Sequence, residues 1–511
     1  VKKNAMETNQ RHRPVRASLM VICVVLASLS LEIARTSDLS SRVPSRLPVV
    51  TYRARSRPYS ELGLRKGYRK RSMIRAMTQD EVEAILWQQR PSADTWEERF
   101  GQLDKWLETV CQLHPPRSIK QSSVVHVAGT KGKGSTCAMV ESMARAKGLK
   151  TGLFTSPHLI QTRERIRING RALSEDKFVD IFERVWTACV LQASKEGLKD
   201  LKGNKEDSRY LPSVPSAFEL LFLVAVRAFA EAEVDICVFE VGLGGRLDAT
   251  NSLPTDWIAS SGIASLGLDH QRLLGDTLRD IAREKAGILR KDVPSFTVFQ
   301  PPEAFQVLED VATNVGSPLR VSKPLRPVPS IGLAGDHQEL NAALALDLFR
   351  SFEGNKLQNS GLLGYYKDGL ATVKWPGRAQ IMSDPICSNI RYLLDGAHSN
   401  ESLHACGRWF ALESTRPSKE NVLIFNCTGG RNATTLLTAL ADGMAGEVQE
   451  TADYLSSLSQ VFGTIITVPA KIDGDSQSGD NQSSVPEWAR KLHSESLNAL
   501  HFGSLEEALR W

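Results

Sequence analysis

The chain has 511 residues, 41% of them hydrophobic and 24% charged, with a formal charge of +5. That length exceeds one ordinary core and predicts two folded domains, and no apolar run reaches the ~20 residues of a spanning helix, which argues against a membrane enzyme. The positive charge is confined to residues 1–76, which hold 17 Lys and Arg against 4 Asp and Glu, leaving 46 basic and 54 acidic groups in the body. A body of net −8 argues against nucleic-acid binding, whose affinity comes from clustered cations. The eight cysteines show no C-x-x-C pair and no zinc-site spacing, so they read as reduced thiols.

In chain order, Arg11, Arg13 and Arg16 precede a short apolar stretch at 17–31, and residues 35–76 hold 12 Arg and Lys against only Asp38 and Glu61. Arg-rich, acid-poor sequence of this kind reads as an organellar presequence, mitochondrial or, because the apolar part looks like a signal-peptide core, a two-part plastid leader. An unstructured stretch before a true start at Met6 or Met77 is the bland alternative, with the body cytoplasmic. Globular sequence begins near Met77. Apolar spacing of three and four predicts helices at 80–88 and 95–111. A buried strand at 124–127, a glycine-rich loop, a helix at 136–147 closed by Gly148 and a strand at 151–154 form the βαβ unit of a parallel sheet. A helix at 218–230 and strands at 234–239 and 257–265 extend it. Residues 194–209 read as a surface insertion, and the proline-bearing 318–329 as an interdomain linker. Helices at 341–352 and 434–444 with strands at 392–395 and 422–425 predict a second, smaller α/β domain, and the polar stretch 473–484 a loop.

The strongest chemical signal is Gly129-Thr130-Lys131-Gly132-Lys133-Gly134-Ser135 between strand and helix. Glycines let backbone N–H groups converge on phosphate oxygens at a helix N-terminus, Lys133 supplies a mobile cation, and Ser135 can approach Mg²⁺. The loop departs from the usual G-x-x-x-x-G-K-[ST] form, with its first two glycines three apart and Gly134 between lysine and serine. Val234 to Glu240 is an apolar strand ending in an acid, followed by Gly242, Gly244 and Gly245; a parallel strand presents that end to the ligand crevice, where Glu240 could hold the metal. Alone, such an acid is as readily an N-cap. Thr155 and Ser156 offer hydroxyls at the same end of the sheet; the competing reading of Thr155-Ser156-Pro157-His158 is a proline turn. Leu268-Asp269-His270 and Glu284-Lys285 add a histidine and a lysine that spacing alone does not single out. Arg163, Arg165 and Arg167 would share one strand face by alternation, as a solvated basic edge or a seat for an acidic substrate. Trp375-Pro376-Gly377-Arg378 and Asp395-Gly396-Ala397-His398 could each grip a nucleotide or be plain turns.

Taken together and in order, HVAGTKGKGST around Lys133, TSPHL at Thr155, RERIRING from Arg163, EVGLGGRLDATN from Glu240, GLDH at His270, EKAGI at Lys285, HQELNAALAL from His337, WPGR at Arg378 and LDGAH from Leu394 resemble the folylpolyglutamate synthases, Mur-ligase-like amide ligases, over residues 80–430. The resemblance implies an α/β fold in which a P-loop parallel-sheet domain that binds ATP and folate (77–320) is followed, after a linker at about 321–330, by a smaller Rossmann-like domain (331–511). It implies ATP-dependent addition of L-glutamate to a reduced folate through an acyl phosphate, with dihydrofolate synthase activity or a bifunctional enzyme as the alternative suggested by GLGGR and LDATN. A nucleotide-switched binding protein is the rival from another class. Carried over residue by residue, Lys133, His270 and Lys285 would be catalytic. Gly129, Thr130, Lys131, Gly132, Lys133, Gly134 and Ser135 with Asn341, Arg378, Asp395 and His398 would bind ATP, the last four from the second domain. Ser135, Thr155, Ser156, Glu240, His270 and a carbamylated Lys285 would hold Mg²⁺, with a monovalent cation such as K⁺ as a further ligand. The expected partners are reduced folate and L-glutamate, with no nucleic acid and no membrane span, and the expected state is a monomer. The family continues past the helix resembling residues 504–511, so an incomplete second domain is expected.

Overall fold

The computed structural model describes residues 20–24, 77–88, 96–113, 118–200, 214–354, 364–384, 390–413, 421–425, 432–445, 458, 461–468 and 498–501. In chain order the strands are β1 (Met20–Val24), β2 (Val124–Ala128), β3 (Thr151–Phe154), β4 (Ile166–Ile168), β5 (Arg171–Ala172), β6 (Ile236–Glu240), β7 (Ile258–Ile263), β8 (Ser295–Thr297), β9 (Leu319–Val321), β10 (Gln380–Ser383), β11 (Arg391–Asp395), β12 (Asn421–Phe425), β13 (Thr464–Thr467) and β14 (Asn498–His501). They form two sheets, ordered β5-β4-β3-β6-β2-β7-β8-β9 and β10-β11-β1-β12-β13-β14. The first is parallel except where β4 and β5 turn back at one edge; the second is parallel except for β10. Both are the α/β sheets the resemblance implied.

Central parallel strands lie between two helical layers, so they read as continuous apolar runs. Every residue of β2 and β6 is buried. Alternate side chains take opposite faces: Phe154, Cys237 and Phe239 enter one core with the helices Gln79–Gln88, Trp96–Cys111, Glu175–Asp200 and Ala217–Ala232, while Val125, Val127, Ile236 and Val238 enter another. Phe239 anchors the first core, its ring 5.9 Å from Phe154, 5.8 Å from Phe222 and 5.5 Å from Phe229. The second core holds the helices Lys133–Ala146, His337–Phe352 and Gly364–Thr372.

That second core moves the expected boundary. The stretch 318–329 was expected as a linker, yet Leu319–Val321 pairs in parallel with β8 as the outermost strand of the first sheet. The helix His337–Phe352 then buries Ala342 through Leu346 without a break. A helix apolar on all sides needs neighbours on all sides, and this one packs with Met139, Met143 and Phe296 of the first unit. The chain crosses to the second sheet only after Val373, which is still part of that core. Asn341 therefore belongs to the first unit rather than the second.

Residues 20–24 also differ from the leader reading, because they pair in parallel with both β11 and β12. Short apolar runs rich in β-branched residues suit a buried strand as well as a signal-peptide core, and periodicity does not separate the two. The first part of the 194–209 insertion continues the helix Glu175–Asp200; residues 201–213, 473–484 and 504–511 lie outside the described residues. Among the described residues no helix is long and apolar enough to cross a membrane.

Candidate active site

The loop after β2 hangs on the end of β7. The Thr130 and Lys131 amides donate to the Ser265 carbonyl at 2.9 and 3.0 Å, and the Thr130 hydroxyl donates to the Gly267 carbonyl at 3.1 Å. Gly132 is left-handed with φ 84°, and a Cβ there would lie 2.2 Å from Asn341 Oδ1, so both backbone angle and space require glycine. The helix begins at Lys133, three residues before the expected start. Its first-turn amides at Lys133, Gly134 and Ser135 face the crevice without intrahelical acceptors, which makes this end a site for an anion. Lys133 Nζ arches back to the Gly129 and Thr130 carbonyls at 3.1 and 3.4 Å.

Glu240 stands at the end of β6, buried, and accepts the Ser156 amide at 3.0 Å. Its oxygens lie 3.5 and 3.6 Å from where a Gly134 Cβ would be, so the acid and the loop share one wall. Burial pushes its carboxyl up, with Lys133, the Ser156 amide, Arg378 and Arg165 opposing. A buried carboxylate facing a phosphate loop suits a divalent cation, which would offset the charge that burial penalises. Thr155 is buried beside it and donates its amide to the Arg165 carbonyl at 2.9 Å. Among the described residues no three His, Cys, Asp or Glu side chains gather as a metal cluster, so Mg²⁺ here would lean on Glu240, hydroxyls such as Ser135 and Ser156, and phosphate oxygens.

His270 is the N-cap of the short helix Gln271–Leu274. Left-handed at φ 52°, it sits beside Asp269, with Nε2 4.0 Å from Oδ1 and its amide donating to Oδ1 at 3.0 Å. Asp269 also lies 3.5 Å from Lys131 Nζ and 4.0 Å from His398 Nε2 of the second unit. Burial raises its carboxyl, but Lys131, His270 and His398 hold it below the ordinary range. Lys285, buried on the helix Leu278–Ala286, is lowered to about 7 by burial and then by Lys133. Such an amine is substantially neutral near pH 7, the form that reacts with CO₂.

Across the crevice, Asp395 ties the turn before it to the one after it by accepting the Ala379 amide at 2.7 Å and the Ala397 amide at 2.8 Å. Burial pushes its carboxyl up, against Arg378. Arg378 crowds Gly396, where a Cβ would meet NH1 at 2.2 Å. His398 Nδ1 lies 3.0 Å from the Gly396 carbonyl.

The arginine strand is corrected. Arg163 and Arg165 lie in a 3₁₀ turn, Thr162–Arg165, before β4, because Gln161 and Glu164 cap that turn reciprocally. Their side chains diverge: Arg163 donates to the Leu173 carbonyl at 2.6 Å, Arg165 to His158 Nδ1 at 3.0 Å, and Arg167 lies 4.6 Å from the Trp375 ring centre. Asp269 and Trp375 were passed over as site residues in the sequence, although Asp269 adjoins His270 and Trp375 opens the motif containing Arg378.

A glycine-rich loop on one parallel sheet, with a buried acid beside it and a second α/β unit facing it, is the two-unit arrangement that the resemblance to the Mur-ligase-like amide ligases implied. No family model matches the chain. A folylpolyglutamate synthase of Arabidopsis thaliana is 37% identical over 71% of this chain and 63% of its own length. The mitochondrial folylpolyglutamate synthase of Cricetulus griseus is 32% identical over 77% of this chain and 74% of its own. The Mycobacterium tuberculosis folylpolyglutamate synthase solved with ADP and AMPPCP shares the fold, with TM-score 0.63, 24% identity and coverage of 84% of this chain and 90% of that one. The chain belongs to the folylpolyglutamate synthase family. It spans about three fifths of the length of the first relatives it matches, 63, 58 and 57%.

Proposed function

We propose that the protein is an ATP-dependent ligase that adds L-glutamate to the γ-carboxylate of tetrahydrofolate or its polyglutamates. The observation that carries this reading is the convergence on Gly134 of Glu240 with Lys133 and Arg378 close enough to oppose its charge, a constellation built for moving a phosphoryl group. A folate γ-carboxylate oxygen attacks the γ-phosphorus of ATP, the bond to ADP breaks, and an acyl phosphate forms. The amine of L-glutamate then attacks the acyl carbon; phosphate leaves, the amine loses a proton, and the γ-linked amide remains. Lys133 and the first-turn amides stabilise the phosphoryl oxygens, and Arg378 does so from the second unit. Mg²⁺, when bound, would supply Lewis-acid neutralisation of the phosphates, and Glu240, Ser135 and Ser156 would hold it, with Thr155 and His270 as further candidates and Lys285 once carbamylated. Asn341 orients the loop at Gly132.

Purified protein given ATP, Mg²⁺, L-glutamate and tetrahydrofolate yields ADP and a folate heavier by one glutamyl unit. Inactivity with tetrahydrofolate but activity with dihydropteroate moves the assignment to dihydrofolate synthase, the alternative that GLGGR and LDATN leave open. A targeting role for the basic N-terminal segment, in which residues 20–24 pair with the second sheet, belongs to the same proposal, on its composition and on mitochondrial relatives such as that of Cricetulus griseus. Residues 1–80 fused to a fluorescent reporter direct it to an organelle; diffuse cytosolic signal contradicts that.

A further inference from the structure

Between Val373, the last residue of the first unit's core, and Gln380, where β10 begins, the chain makes one tight turn. Its two ends are held by different units. At the far end, the Gly377 carbonyl accepts the Gly396 amide at 2.9 Å and Asp395 accepts the Ala379 amide at 2.7 Å, so the turn is stapled to the second sheet. Gly377 and Ala379 are both left-handed, with φ 72° and 43°, which makes the turn sharp and specific in shape. At the near end, Trp375 packs at the rim of the first core, its indole Nε1 3.2 Å from where a Gly134 Cβ would be. A further contact is Arg167 of β4, whose guanidinium lies 4.6 Å from the ring centre. The Arg378 amide donates to the Trp375 carbonyl at 3.3 Å, so the indole and the guanidinium three residues on form one closed turn.

A half-buried indole held on a glycine of the phosphate loop, with a cation stacked on it, is more than filler between units. A Cβ at position 134 would lie 3.2 Å from the indole nitrogen, so the ring would have to give by a few tenths of an ångström, and the ring belongs to the same closed turn as Arg378. We propose that Trp375 is a positioning residue that sets Arg378 against the phosphate loop, with Arg167 fixing the ring's plane. The kinetic consequence rests on the ligase reading; the mechanical one does not. Misplacing a phosphoryl-contacting group by about 1 Å costs up to ~100-fold in rate, so the expected signature is a fall in kcat with ATP still bound.

The test compares Trp375→Ala, Trp375→Phe and Arg167→Met in the full chain, by steady-state kinetics and by hydrogen exchange of peptides spanning 375–398 with and without AMPPNP and Mg²⁺. Trp375→Ala lowers kcat roughly 30-fold with the KM for ATP within about 3-fold, and loses most of the nucleotide-dependent protection. Trp375→Phe keeps a ring for Arg167 and stays within about 3-fold of wild type. Arg167→Met falls about 5-fold in kcat, and this arm carries the test should Trp375→Ala fail to fold. A raised KM with unchanged kcat would make Trp375 a plain binding contact and overturn the proposal, as would wild-type protection in Trp375→Ala or wild-type kcat in Arg167→Met. If the wild type ligates nothing but Trp375→Ala still loses nucleotide-dependent protection, the ligase reading fails and the positioning role stands.

Discussion

The two walls of the crevice are held in different ways. On the first sheet, the phosphate loop is fixed by its own unit: Ser265 and Gly267 hold Thr130 and Lys131, Asn341 abuts Gly132, and Ser156 binds Glu240. On the second, Arg378, Asp395 and His398 are fixed to one another through the Gly377–Gly396 and Asp395–Ala379 bonds. Their meeting points with the first wall include Trp375 on Gly134, His398 at 4.0 Å from Asp269, and the exposed pair Arg408–Asp336 at 2.6 Å. One wall is pre-organised, whereas the other is rigid within itself and set by its contacts. Damage to the first wall should remove chemistry outright. Damage at the crossing points should slow it in proportion to what each point positions.

Lys133→Met gives the largest effect, a fall in kcat of about 1,000-fold, because it removes the loop cation facing the moving phosphoryl group. Thermal unfolding of the variant checks that the fold persists, and ligation at the wild-type rate would break the account of the first wall. Asp269→Asn strikes a crossing point and uncouples Lys131 from His398. It lowers kcat about 10-fold, in line with a charge pair at partly buried groups, and a double-mutant cycle with His398→Gln should be non-additive. Additive effects there would show that the two walls do not communicate through this carboxylate.

Much of the first wall was legible in the sequence, for a physical reason. A buried parallel strand is a continuous apolar run, and its end is marked by the glycines or the acid that the crevice demands, so β2 with its loop and β6 with Glu240 stand out. The crossing points left no such mark. Asp269 is an ordinary acid until folding brings Lys131 and His398 to it, and Trp375 reads as the start of a turn. The boundary was misread because the helix His337–Phe352 carries its apolar residues on every side, which says that it is buried but not by which sheet. Arg163 and Arg165 were misread because alternation over six residues resembled a strand while Gln161 and Glu164 were capping a 3₁₀ turn.

A smaller effect concerns stability on the first wall. His126, buried within the strand that leads into the loop, is lowered to about 3 by burial and then by Arg290, and His158 to about 4 by burial and then by Arg165. Both fall from 6.5, so both stay neutral in the fold and take up a proton on unfolding. Their contribution is complete above pH about 6.5 and declines as pH drops towards the folded values, by up to ~1.4 kcal/mol per pH unit for each group. Between pH 7 and 5 in denaturant titrations, His126→Gln, which can keep a hydrogen bond to Thr250, should lose about 2 kcal/mol less than wild type. Equal losses would remove His126 from the account. The smallest effect is expected at Arg408→Ala, where an exposed pair is worth at most ~1 kcal/mol and kcat should change less than about 2-fold. A loss as large as that of Asp269→Asn would mean that the outer contact, not the inner one, sets the second wall.

The central claim is that the two walls together pass a phosphoryl group to a carboxylate. Tetrahydrofolate monoglutamate labelled with ¹⁸O in its γ-carboxylate, incubated with the protein, ATP, Mg²⁺ and L-glutamate, tests it by mass analysis of the released phosphate. The account predicts one ¹⁸O in the phosphate released with the first glutamyl unit added, because the acyl carbon keeps one carboxylate oxygen and gives up the one bound to phosphorus. Formation of the diglutamate accompanied by unlabelled phosphate would contradict it.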